Sequence, residues 1–295
     1  MNFMHDFMDS LSVGDVRTYK NMAVGFVYGP ESGLEYLTLD DALRDRKSFS
    51  IRETQIVNEL DAENKTGNCV LLLEGDYLIG GSQNRMVARS LLTKKDFKGK
   101  IPVCCVEKRR WDGKRDPFTS SGKSAPTSVR YAAAKSQGEV WQNVDIISDA
   151  TQTESPTESI HDVYKNKEKD LHEYTSKFPL MPNALGIAVA VKNGRTLHGL
   201  DIFDRYKTMQ KNFPKLIESY ALEAFTLASQ HNAAWDGSLG NSMDYFLKRI
   251  PNACFVEEPS ISEGVSYRIK DTDLDGAFLA YKGKILHFTA GDKRN

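Results

Sequence analysis

The sequence predicts an α+β fold: an antiparallel β-rich core with several helices, and a C-terminal half containing β-hairpins and one long amphipathic helix. Three observations carry that prediction. Short apolar runs such as Val24–Tyr28, Asn68–Leu73 and Ile101–Val106 are bounded by turn or polar residues, which suits buried strands. Asn193-Gly194 separates two further runs, Leu185–Val191 and Thr196–Phe203; both turn residues tolerate positive φ, a two-residue hairpin signal. Leu216, Ile217, Tyr220, Ala221, Ala224, Phe225 and Ala228 recur at helical spacing after Pro214, and such a stripe faces a core.

The elements follow in order. A strand at Val24–Tyr28 and another at Leu34–Leu39 flank Gly29, Pro30, Ser32 and Gly33, which is turn chemistry. Thr38 with Asp41 is placed to cap a short helix through Arg46. Residues 112–138 shift to Gly, Ser, Thr, Pro and Lys, and Ser120–Ser124 shows no apolar periodicity, so an exposed loop is expected there. A helix follows around Glu139–Ile147. Ser155, Pro156 and Glu158 then read as N-cap, first helical position and capping box for a helix that ends at Pro179 and Pro182. The C-terminus repeats the hairpin grammar, because Gly186 to His198 and Gly276 to His287 both run glycine, apolar strand, Lys, Gly, basic residue and Leu-His. One domain over 13–295 is expected: a β-rich half (13–111), a polar and helical connection (112–182) and an α+β half (183–295).

Composition excludes several function classes. The chain has 295 residues, 40% hydrophobic and 27% charged, as ordinary globular proteins do. Lys plus Arg number 39 against 40 Asp plus Glu, so the whole chain is not specialised for nucleic acid or membrane. Cys69, Cys104, Cys105 and Cys254 show no C-x-x-C spacing; buried free thiols are expected, with neither a disulfide framework nor a zinc site. The segment Met1–Val13 does not read as a signal peptide, and no window reaches the ~18 apolar residues of a membrane span. These points predict a cytoplasmic protein.

Chemistry concentrates in two segments. Leu71 to Arg85 begins as a buried strand and turns abruptly polar. Gly80 and Gly81 allow close backbone approach, and Gln83, Asn84 and Arg85 offer amides and a planar cation suited to phosphate, ribose or carboxamide. Glu74 and Asp76, two apart on a strand, would share a face as a carboxylate pair, or else satisfy a turn. Ile101 to Trp111 is another apolar strand that delivers Glu107, Arg110 and Trp111 at its end. Trp111 would stack on a base and Arg110 would hold phosphate, or the group is a local ion pair. Glu74 and Glu107 are thus the candidate catalytic residues, and Gly80, Gly81, Gln83, Asn84, Arg85, Arg110 and Trp111 the candidate ligand-binding set. All of this requires the two strand tips to meet in one open hollow.

From Lys94 to Arg115, nine basic residues face three acidic ones, Asp96, Glu107 and Asp112, a pattern open to RNA binding or to a solvated loop. His198 and His287 occupy matching places in the two hairpins, and would meet as ligands or an acid–base pair if the hairpins packed side by side. No metal is assigned, no cofactor is specified, and no P-loop, G-x-S-x-G, H-E-x-x-H or dinucleotide motif occurs.

Val57-Asn58-Glu59-Leu60, Asn64, Leu71–Gly75, Gly80 and Gln83-Asn84-Arg85 carry a resemblance. So do Ile101-Pro102-Val103, Cys105-Val106-Glu107, Arg110-Trp111, Val140-Trp141 after Gln137-Gly138, and Ser155-Pro156-Thr157. It continues through Gly186, Asp201–Phe203 and Lys215–Ala221. The chain is similar over nearly its whole length to the ARPP-1 family, named for genetic association with ADP-ribosylglycohydrolases and rhodanese-phosphatases. Asp76 stands where the family tends to have Glu, and the 115–128 loop is idiosyncratic. The resemblance implies work beside enzymes that handle ADP-ribose, in NAD-derived metabolite or ADP-ribosylation processing. The chain would then be a nucleotide or ADP-ribose-related binding protein or enzyme; the alternative is a non-catalytic interaction module docking a partner enzyme.

Overall fold

The structure is a computed structural model that describes residues 2–114, 116–228, 235 and 239–293. Helices and antiparallel sheets are mixed, as an α+β chain requires. The chain divides into two compact units: residues 1–34, 170–258 and 265–295 form the first, and residues 35–169 with 259–264 form the second. Elements are numbered along the chain.

The first unit is built on one eight-stranded antiparallel sheet. Its order is β1 (Ser12–Tyr19), β2 (Met22–Tyr28), β12 (Gly186–Asn193), β13 (Arg195–Phe203), β17 (Lys284–Asp292), β16 (Leu274–Tyr281), β15 (Val265–Ile269) and β14 (Phe255–Glu258). Side chains alternate between faces, and the burial follows. One face carries Ala188, Ala190, Leu200, Ile202 and Phe288 against Met4 of α1 (Asn2–Asp9) and Met243 and Phe246 of α8 (Leu239–Arg249). Gly199, on the opposite face, presses Tyr220 of α7 (Tyr206–Ala228): a Cβ there would lie 2.6 Å from the ring. The predicted stripe from Leu216 to Ala224 is buried, but α7 starts eight residues before Pro214, which lies inside the helix.

The two predicted hairpins, β12–β13 and β16–β17, lie side by side through β13 and β17. Their glycines share one environment. A Cβ on Gly186 would sit 2.3 Å from the Asp201 carbonyl, and one on Gly276 would sit 2.3 Å from the Thr289 carbonyl. Shared sequence grammar and shared strand approach together describe a repeated unit.

The second unit holds a six-stranded sheet, β11 (Thr119–Ser124), β7 (Asp76–Ile79), β8 (Arg85–Val87), β10 (Lys98–Cys105), β5 (Glu59–Asn64) and β4 (Phe49–Glu53). A three-stranded sheet, β3 (Leu37–Thr38), β6 (Val70–Leu72) and β9 (Leu91–Thr93), accompanies it, with β3 and β6 parallel. Phe49, Ile51, Leu60, Leu72, Leu78, Ile101 and Phe118 are core. The predicted capping box is present on α2 (Leu39–Ala42), which ends before Arg46. Leu34–Leu39 yields only the short β3, and β2 pairs with β1 and β12 instead.

Three sequence expectations change. Ser120–Ser124 lies within edge strand β11, because its backbone pairs with β7 despite a polar sequence. The helix expected from Ser155 is capped by Ser159 and splits into α5 (Ile160–Asn166) and α6 (Glu168–Thr175). Ser155 instead accepts from the Ser159 amide and donates to Asp162. The helices α3 (Thr127–Ala132) and α4 (Gln137–Ala150) complete the set, the first inside the expected loop.

Candidate functional site

Strand pairing brings the two polar tips together. Cys105 of β10 pairs with Arg85 of β8, so the chain beyond β10 runs beside the Gly80–Asn84 connection. The Val106 amide donates to the Asn84 carbonyl at 3.2 Å, and the Asn84 amide donates to Glu107 Oε2 at 2.9 Å. Arg110 Nε donates to the same oxygen at 2.9 Å. Its Nη1 donates to the Gly81 carbonyl at 2.8 Å, and its Nη2 to Asn84 Oδ1 at 3.1 Å and the Gly80 carbonyl at 3.3 Å. Gln83 Nε2 donates to the Lys108 carbonyl. The expected convergence is real, but these groups bind one another and the backbone.

The glycines follow the same logic. The Gly80 amide donates to Asn84 Oδ1 and the Gly81 amide to the Asp116 carbonyl. Gly81 has φ +50°, and a Cβ there would meet Phe118 Cζ at 2.5 Å and Glu53 Oε2 at 2.7 Å. The close approach that needs glycine is therefore to this chain's own side chains.

Arg85 is fully buried. Its Nη1 donates to the Gln83 carbonyl at 3.1 Å and to Gln83 Oε1 at 3.3 Å, and its Nη2 lies 3.5 Å from Glu53 Oε2. Nε and Nη2 make no hydrogen bond within the protein. The guanidinium carbon lies 5.4 Å from the centroid of the Trp111 ring, in cation–π range, and Trp111 is 45% exposed. Glu53, which the sequence reading missed, accepts from the amides of Thr54, Gln55 and Ser82. Its signal was inward parity at the end of the alternating strand Phe49–Glu53. Gln137 was missed as well; its amide group donates to and accepts from the Cys105 backbone as a neighbouring strand would. The Thr54–Asn58 connection displays Ile56 and Val57, both exposed, and is tied to Ser82 through Gln55.

Glu74 does not join this corner. It lies beyond the other end of the four-residue strand β7, which spans ~13 Å, six residues before Gly80, and it is buried. Gly75, with φ +92°, turns the chain between Glu74 and Asp76, so the two carboxylates do not share a strand face. Asp76 Oδ2 accepts from the Leu73 amide at 2.8 Å, closing the turn. Arg130, also buried, crosses Gly75, where a Cβ would lie 2.4 Å from its Cδ.

Part of the basic run is neutralised. Lys100 pairs with Glu59 and Asp61, Lys108 with Asp145 and Glu158, Arg109 with Glu158, and Lys114 with Asp112; Arg115 lies outside the described residues. Cys104 and Cys105 are buried and Cys254 is exposed, so only part of the thiol expectation holds. Burial pushes the Cys104 thiol up to about 12 and the Cys105 thiol up to about 11.

His198 and His287 do not meet. Although their hairpins are neighbours, His287 pairs across from Phe203, five residues and one face away from His198. His287 Nε2 lies 3.2 Å from Asp201 Oδ1, whose other oxygen accepts from Tyr220. His198 Nδ1 lies 2.7 Å from Asp292 Oδ2. Burial pushes the Asp292 carboxyl up, but the hydrogen bonds from the His198 ring and backbone, with the charges of His198 and Arg249, outweigh it and hold that carboxyl below the ordinary aspartate range. Among the described residues, no group of three or more His, Cys, Asp or Glu is arranged to hold a metal, and no helix is long and apolar enough to cross a membrane.

A family model described as "ARG and Rhodanese-Phosphatase-superfamily-associated Protein domain", ARPP-1, matches residues 10–291. Comparison with curated proteins and with solved structures yields no match.

Proposed function

We propose that the chain, which belongs to the ARPP-1 family, is a module that docks a partner enzyme through the corner formed by Gln83–Arg85 and Glu107–Trp111. The single observation that carries this reading is that Arg110 is fully engaged with Glu107, Asn84 and the Gly80 and Gly81 carbonyls. A phosphate would have to break those bonds to reach it. Beside the exposed, ion-paired Lys108 and Arg109, the corner offers an apolar group outward: Trp111, with Ile56 and Val57 exposed on the connection tied to it. An indole on a rigid support is the kind of group that anchors protein interfaces. The family description associates the domain with ARG and rhodanese-phosphatase-superfamily proteins, which supports seeking the partner among ADP-ribosylglycohydrolases and enzymes of that superfamily. The free thiols support a reducing, cytoplasmic setting.

Calorimetry of the purified chain with purified enzymes of each class tests the proposal. Binding is expected with one of them, and Trp111→Ala should weaken it about tenfold or more. Absence of a complex with both, or equal affinity for the variant, overturns it.

One observation favours the nucleotide reading as an alternative. The buried Arg85 keeps Nε and Nη2 without hydrogen bonds beneath Trp111, a cation and ring suited to a base and phosphate. Titration with ADP-ribose, NAD and AMP decides it. Binding that Trp111→Ala abolishes supports the ligand site; no heat with any of the three removes it.

A further inference from the structure

The first unit holds a polar cluster that opens on a cavity. We propose that Ser242, His198 and Asp292 form a serine-nucleophile hydrolytic centre for a carboxylic ester that carries a negative charge.

The geometry is a connected chain of bonds. Asp292 Oδ2 accepts from the His198 backbone amide at 2.9 Å and lies 2.7 Å from His198 Nδ1, while Oδ1 accepts from Arg249 at 3.1 Å. A carboxylate at Nδ1 fixes the proton on that nitrogen and leaves Nε2 with its lone pair. Nε2 lies 3.3 Å from Ser242 Oγ. The ring is held by stacking on Phe246, with centroids 5.1 Å apart and 13° between planes. Rigid elements deliver all three groups: β13 the histidine, β17 the aspartate and α8 the serine. The Ser242 hydroxyl also reaches the Leu239 carbonyl at 2.9 Å; re-aiming its hydrogen toward Nε2 needs no heavy-atom movement. This is the order nucleophile, base, orienter, recognised by geometry rather than by sequence position.

The cluster borders a cavity of about 400 Å³ whose lining includes Arg195, His198, Ser242, Arg249, Asp292 and Lys293. Arg249 is engaged with Asp292, Lys293 with the Asp271 carbonyl and Asp275, and Asp273 also lines the cavity, so the preference for an anionic substrate is assigned to Arg195. In the first step Ser242 Oγ bonds to the ester carbonyl carbon as its proton passes to His198 Nε2. The carbonyl oxygen takes the electron pair, with Arg195 supplying charge opposite it. Collapse breaks the ester C–O bond, and the leaving alkoxide takes the proton from His198 and departs as the alcohol. Water, deprotonated by His198, then releases the acyl group from Ser242 as the acid and restores the serine.

The test is covalent labelling of the full chain with a fluorophosphonate, read by peptide mass spectrometry. The expected result is an adduct on Ser242 that forms at least ~100-fold more slowly in His198→Asn. No adduct on Ser242, or an equal rate in the variant, overturns the proposal. Mono-4-nitrophenyl succinate should be hydrolysed in preference to 4-nitrophenyl acetate, and Arg195→Ala should erase that preference. Asp292→Asn, a positioning change, should lower kcat while leaving KM within about twofold. If His198→Asn does not fold, Ser242→Cys carries the test: a thiol paired with His198 should alkylate near pH 6 about tenfold faster than exposed Cys254, and equal rates overturn the proposal.

Discussion

Two clusters in this chain use similar groups to different ends. In the corner between β8 and β10, the Glu107 carboxylate takes the Asn84 amide and Arg110, and Arg110 passes its remaining bonds to backbone and amide oxygens. The chain of bonds closes on the protein. In the cluster of β13, β17 and α8, Asp292 is engaged as fully, yet its chain ends at a ring nitrogen and a hydroxyl beside a cavity of about 400 Å³. The difference is where the last polar atom faces. A dense set of charged residues braces a fold when every donor meets an acceptor, and it can do chemistry when one end of the set opens on space.

The sharpest challenge to this contrast is Glu107→Ala. It leaves Arg110 without its carboxylate and the Asn84 amide without an acceptor, so a stability loss of about 3–5 kcal/mol is expected from urea denaturation; under about 1 kcal/mol breaks the account of a closed corner. A smaller loss, about 1–2 kcal/mol at neutral pH, is expected for Asp292→Asn, with a pH signature. Because the folded carboxyl titrates below its ordinary value, its stabilisation is present above about pH 4 and lost as the pH falls through the folded value. Wild-type and variant unfolding curves should therefore converge in acid, and a gap constant with pH would contradict the pairing. Trp111→Ala should cost less than about 1 kcal/mol in stability, since the exposed ring adds little burial, while weakening partner binding about tenfold; a folding loss as large as that of Glu107→Ala would make the tryptophan structural. Least in energy, but easily read, native thiol labelling should modify Cys254 and leave Cys104 and Cys105 untouched, since burial holds both as thiols at neutral pH. Rapid labelling of Cys105 would show that the corner opens.

Much of the fold was legible in local signals. The Asn193-Gly194 hairpin, the Thr38–Asp41 capping box, the stripe on α7 and the repeated glycine-to-histidine grammar all depend on residues within one element. What was not legible depended on partners distant in sequence. Polar Ser120–Ser124 became strand β11 only because β7 offered an edge. Pro214 looked like a helix start, where a missing backbone N–H costs nothing, but Tyr206–Phe213 form helical turns ahead of it, so it lies in the helix interior and gives the Gln210 carbonyl no i+4 amide. The meeting of the two tips was foreseen, while their mutual saturation stood as one of two alternatives, because residue types give donors and acceptors without distances. Ser242 and Asp292 carried no motif at all; they join His198 through strand register and helix placement.

One further consequence lies in the order of synthesis. Residues 35–169 form a continuous stretch of the second unit, inserted within the first. Strand β17, which lies between β13 and β16 in the eight-stranded sheet, follows every other strand among the described residues. On a ribosome the nascent protein therefore carries β13 with one bare edge, its amides and carbonyls unpaired on that side, until the final hairpin emerges to fill the gap. The proposed hydrolytic cluster, which takes its aspartate from β17, is complete only once that gap has been filled.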